Sequence, residues 1–153
     1  MMRYAFRICL AVAAVGCIAA DAAPARPLLS KPQYIARGDA ICGRAIQQTH
    51  AIGVVPSVAA WGGKAGARLL LIDRTALTAL KALALPLADT ATLRRLLAGA
   101  SATVAETARG ISAAHAGNAG AFRADAARVA VLTRRYQAGA RAYGFRVCAR
   151  WGS

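Results

Sequence analysis

Two cysteines, Cys42 and Cys148, bracket a long stretch of chain that contains no other cysteine, and this pair constrains the fold more than any other feature. The other two of the four cysteines, Cys9 and Cys17, fall in an N-terminal stretch that reads as an export signal. Arg3 and Arg7 give it a positive start, Ile8–Val15 with Ile18–Ala20 give it an apolar run, and Ala20-Asp21-Ala22 gives it an A-x-A cleavage site. Residues 1–22 are therefore expected to be removed, leaving a mature chain that begins at Ala23. The apolar run is too short to span a hydrocarbon core of ~30 Å comfortably, which makes a transmembrane anchor the weaker reading. In an exported chain an even number of thiols is the pattern of a structural disulfide, and with two thiols the connectivity is forced. A bridge closing nearly the whole domain is worth about 4–5 kcal/mol in the chain-entropy model. That is comparable to the net stability of many small domains. A C-x-x-C redox pair is absent, and His50 and His115 are too distant from the two thiols in sequence to suggest a zinc site.

Ala14-Val15-Gly16-Cys17 also matches a bacterial lipobox, in which the cysteine is lipidated and becomes N-terminal, although Ala14 stands where leucine is usual. Free secretion and a lipid anchor on Cys17 both place the protein outside the cytoplasm, released or held on the outer face of the membrane. Ala23–Pro32, with three prolines, reads as an extended tether ahead of the folded domain, 33–153.

The chain is 58% hydrophobic but only 6% aromatic, and much of the hydrophobic fraction is alanine, the strongest helix former. A GC-rich genome would explain that frequency, but it would not explain the spacing. Four amphipathic stretches follow one another with steps of three and four residues. The first, about Gln33 to Ile52, carries Ile35, Gly38, Cys42, Ala45, Thr49 and Ile52 on one stripe and ends at Gly53 and Pro56. The second, about Ala65 to Leu85, carries Leu69, Ile72, Ala76, Ala79 and Leu83 and stops at Pro86. The third starts at an Asp89 or Thr90 cap and runs to about Ala116 with Leu93, Leu97, Ala100, Val104, Thr107 and Ile111. The fourth runs from about Ala119 to Tyr143, with Phe122, Ala126, Val129, Leu132, Tyr136 and Ala140, and ends at Gly144. Phe145–Cys148 is expected to follow as an extended tail.

The expected fold is all-α, an antiparallel up-down-up-down four-helix bundle packed at shallow angles. The first and last helices then run as antiparallel neighbours. Cys42, in the first half of one, and Cys148, just past the end of the other, come to the same end of the bundle. Two independent signals thus agree, the helix spacing and the cysteine positions.

The segments around the cysteines, Tyr34-Ile35-Ala36-Arg37-Gly38-Asp39-Ala40-Ile41-Cys42 and Tyr143-Gly144-Phe145-Arg146-Val147-Cys148, carry a further signal. They resemble a group of small secreted or lipid-anchored helical proteins of high-GC Gram-positive bacteria. In that group a Y-I-x-x-x-D-x-I-C element opens the domain and a Y-G-[FL]-x-x-C element closes it. The resemblance covers those two ends, and it implies a compartment and a disulfide but no activity.

Chemistry-bearing residues are sparse. The mature chain holds five acids, Asp39, Asp73, Asp89, Glu106 and Asp125, with no two paired at helical spacing. A two-carboxylate site would therefore need tertiary convergence. Asp39 has three readings: an ion-pair partner of Arg146 with a structural role, a solvated charge, or a buried site residue. His50 and His115 sit near helix C-termini, where a histidine most often complements the helix dipole. Glu-x-x-His pairs, C-x-x-C-H and G-x-S-x-G are all absent, and Gly62-Gly63-Lys64 lacks the spacing of a phosphate loop. Trp61 and Trp151 either close the ends of the core or act as interfacial aromatics that touch a membrane surface or a ligand.

With 20 Lys and Arg against 6 Asp and Glu, the formal net charge is +14 and the pI about 11.2. The arginines are spread out rather than clustered, as on a solvated face, and no aromatics interleave with them as in single-strand binders. Anionic lipid or an acidic cell-wall polymer is the expected partner, rather than a specific nucleic acid. The expected function is that of an exported, non-enzymatic helical-bundle protein of the cell envelope, without cofactor or metal. The alternative is a binding protein holding a small apolar ligand in the bundle core, although alanine-rich stripes argue mildly against a roomy pocket.

Overall fold

The computed structural model describes residues 28–152. The expected signal at 1–22, Cys17, the first half of the tether (23–27) and Ser153 lie outside the described residues. All regular structure among the described residues is helical, as expected.

Helix α1, Lys31–His50, begins at a capping box. The Gln33 N–H donates to Ser30 Oγ at 3.4 Å, and the Ser30 N–H donates to Gln33 Oε1 at 2.9 Å. With Pro32 in the first turn, this starts the helix slightly before the expected Gln33. A short helix, α2, Val58–Trp61, forms where only a loop was expected; the hydroxyl of Ser57 caps it by accepting from the Ala60 N–H. Helix α3, Lys64–Lys81, stops short of the expected Leu85, because Pro86 biases the residue before it away from helical backbone. A 3₁₀ turn, Leu87–Asp89, leads into α4, Thr90–His115, and α5 spans Ala119–Tyr143. The last two helices match their expected bounds within a residue. The Asn118 side chain accepts from the Ala121 N–H at the start of α5, and Gly144, at φ +116°, ends it in the left-handed region.

Helix α1 packs on α3, α3 on α4, and α4 most extensively on α5. The core is continuous across all four: Cys42 and Ala45 from α1, Ile72 and Ala76 from α3, Leu93 and Val104 from α4, Tyr136 and Ala140 from α5 lie on the expected stripes, while Tyr34 and Ile41 of α1 and Leu77 and Leu80 of α3 are buried beside them. The expected extended tail takes a different form. The left-handed Gly144 turns the chain back, Phe145 is buried, and Cys148–Arg150 forms a 3₁₀ turn packed on both α5 and α1. That turn carries Cys148 to Cys42, with Cα atoms 5.1 Å apart, a disulfide bond formed and neither residue exposed. The start of α1 and the end of α5 meet there through aromatic rings. Tyr34 stands edge-on to Tyr143 at 6.4 Å and 6.0 Å from Phe145. Gly38 makes room for the contact, since a Cβ there would lie 2.6 Å from the Phe145 ring.

Candidate functional site

Behind the disulfide the four long helices do not close on one another completely, and a cavity of about 300 Å³ lies among them. Its longest wall is α4, where Ala100, Val104, Thr107 and Ile111 come from the predicted stripe. Facing it on α5 are Phe122, Ala126, Val129 and Tyr136, again stripe positions. Ile46 of α1, Leu69 and Asp73 of α3, Trp61 of α2 and Trp151 of the C-terminal turn complete the enclosure. His50, Ala126 and Gly152 belong to the lining yet remain exposed, which places the mouth beside them.

Small residues alone do not make this space, because helices bearing alanine normally approach one another more closely. Here Trp151 spans the gap. Its indole N–H donates to Asp73 Oδ1 on α3 at 3.1 Å, its ring stands edge-on to Tyr136 of α5 at 5.7 Å, and its carbonyl accepts from the Gln137 side chain at 3.1 Å. Trp151 thus bridges α3 and α5 at the cavity, whose wall also includes the small residues Ala100, Gly110 and Ala126.

The lining is more apolar than its composition suggests. Thr103 and Thr107 donate their hydroxyls to the Gly99 and Thr103 carbonyls of their own helix, so those polar groups are already satisfied. Among the described residues no lysine or arginine reaches the cavity wall, and Asp73 is the only acid there. Burial raises its pKa to about 6 against the lowering effect of the Trp151 hydrogen bond, because desolvation disfavours the carboxylate. The ion pairs among the described residues belong to Glu106 and Asp125, not to Asp73. Burial also raises the Tyr136 hydroxyl, with smaller contributions from Tyr34 and Asp39.

The predicted residues take distinct places. Asp39 meets Arg146, but through the backbone rather than as a charge pair. Its carboxylate accepts the N–H groups of Arg146, Val147 and Cys148 at 3.0, 2.9 and 2.8 Å, which pins the C-terminal turn to α1, while the Arg146 residue is exposed. A carboxylate has acceptor capacity for all three donors that the reversed chain leaves unpaired. Trp61 and Trp151 come together on the one cavity. Trp151 is buried with its N–H taken by Asp73, which leaves it no polar edge to lie in a membrane surface. His115 fastens the α2–α3 junction to α4 through Nδ1 and the Gly62 carbonyl, 3.0 Å apart.

Two features escaped sequence reasoning. Asp73 lies four residues from Leu69 and four from Leu77, at the edge of the α3 stripe, and that spacing was the available signal. The second is a buried ion network. Glu106, 2% exposed, pairs with Arg109 of its own helix and, across the α4–α5 seam, with Arg128, which also pairs with Asp125 one turn earlier on α5. Arg128 has the spacing of a solvated face, so its Glu106 partner becomes visible only when the helices are packed, whereas Asp125 stands one turn away on the same helix.

Among the described residues no three His, Cys, Asp or Glu gather as metal ligands, and no helix is long and apolar enough to cross a membrane. A second, more open groove of about 590 Å³ runs along α4 and α5 past Gly99 and Gly139, with Lys31, Asp89, Arg95 and Arg135 among its lining. Comparison of the chain with protein-family models, curated proteins and solved structures finds no match in any of the three.

Proposed function

We propose that this is an exported, disulfide-closed helical bundle that binds a small, mostly apolar ligand in its core. The single observation behind this reading is the cavity of about 300 Å³, at the lower end of the range for ligand pockets, with two tryptophans and one carboxyl in a mostly apolar wall. The helix arrangement suits an up-down-up-down bundle, in which the turn after α5 returns to α1 and serves as one wall of the site. The oxidised Cys42–Cys148 pair suits a compartment outside the cytoplasm. Val104→Phe, which adds a ring to the α4 wall, tests the reading. Wild-type protein should bind 1-octanol saturably in a calorimetric titration, with a shift in tryptophan emission, and V104F should lose both while keeping its helical circular dichroism. Equal, non-saturable uptake by both proteins would overturn it.

The groove with Lys31, Arg95 and Arg135 favours a second reading, that the basic surface also holds the protein near anionic lipid or wall polymer. Association with phosphatidylglycerol vesicles should then fade past a few hundred millimolar salt, where the Debye length falls below about 6 Å. Binding indifferent to salt would contradict it.

A further inference from the structure

Resting on the ligand-binding reading, we propose that the ligand is a lipophilic amine, whose protonated nitrogen meets the Asp73 carboxylate while its apolar body fills the cavity. The charge pattern of the wall supports this. An acyl carboxylate or phosphate would need a cation, and among the described residues no lysine or arginine lines the cavity. A purely apolar ligand would leave Asp73 facing the space with only the Trp151 indole as its hydrogen-bond donor. Burying a carboxylate without a counter-charge is costly, and an incoming ammonium group removes that cost. The surroundings suit a cation as well. Trp61, Trp151 and Tyr136 line the same cavity, and aromatic faces attract ammonium groups, most strongly when water is excluded. The remaining titratable groups on the wall are His50 of α1 and Tyr136 of α5; α4, α2 and the C-terminal turn contribute none. Ionisation of Asp73, with its pKa raised to about 6 by burial, is therefore the change that gates the pairing.

Three probes of equal chain length separate this proposal from the reading beneath it: n-octylamine, 1-octanol and octanoate, titrated calorimetrically into the oxidised protein at pH 7.5 and pH 5. Octylamine should bind about tenfold more tightly than octanol at pH 7.5, as a hydrogen bond to a charged group warrants. Its advantage should shrink at pH 5, and octanoate should bind most weakly. Asp73→Asn retains an oxygen for the Trp151 N–H, so it should erase the amine preference and its pH dependence while octanol still binds. Equal affinity for octylamine and octanol, or a preference that survives D73N, overturns the amine assignment and leaves the cavity reading standing. Failure of all three probes to bind overturns both.

Discussion

Asp73 shows how one side chain ties chemistry to stability. Its carboxyl is a poor place for a charge in the folded protein, and its pKa rises from 3.8 to about 6. An acid whose folded pKa is raised gives stability that is complete below the unfolded pKa and is lost as pH climbs through the folded one. Between about pH 4 and 6 the wild type should therefore lose up to about 3 kcal/mol relative to Asp73→Asn, which carries no charge at any pH. Denaturant unfolding of both proteins at pH 3.5 and pH 7.5 checks this. The difference should be near zero at the lower pH and should favour D73N at the higher. The opposite trend would mean that a cation stabilises Asp73. Asp39 illustrates the contrary case of a carboxylate used as a structural acceptor. Its three backbone donors were hidden in the sequence because they arrive from residues more than a hundred positions away.

At the scale of helices, the seam between α4 and α5 carries both the cavity wall and the buried network of Glu106, Asp125 and Arg128. Removing the two kinds of partner should have unequal effects. Arg128→Leu takes away the guanidinium shared by two buried carboxylates and should cost about 2–4 kcal/mol in chemical denaturation. Glu106→Leu frees Arg109 to turn to solvent, leaves Arg128 its Asp125 partner and should cost markedly less. Equal losses would show that the network is no more than surface pairing. Much of this layer was legible in advance. The steps of three and four residues located the long helices, and Gly144 marked the stop of α5. Helix α2 was not legible, because a single turn offers no periodicity, only the Ser57 cap. The end of α3 was overestimated because apolar Leu83 and Leu85 continue the pattern past the point where proline lets the backbone follow. The cavity residues were visible as stripes, but that they would stand apart rather than touch depended on Trp151 reaching Asp73 from the far end of the chain.

Across the whole molecule, the disulfide, the Asp39 acceptor and the indole of Trp151 act on one short segment, 145–152, and press it against α1, α3 and α5. The Cys42–Cys148 bond spans 106 residues, so its loss frees nearly the entire described domain in the unfolded state. Cys148→Ser, or reduction, should lower stability by about 4 kcal/mol and loosen the wall of the cavity as well. An unchanged melting midpoint with intact octanol binding would show that the segment holds itself in place without the bridge.

The most direct test of the central claim, an apolar space held open in the core by that segment, is diffraction from crystals of the oxidised protein pressurised with xenon. Apolar cavities of this kind stay dry and take up xenon. The expected result is an anomalous peak between Val104 and Ile111 of α4 and Phe122 of α5, with Trp151 still hydrogen-bonded to Asp73. A core closed tightly across those residues, or ordered water in place of xenon, would contradict it.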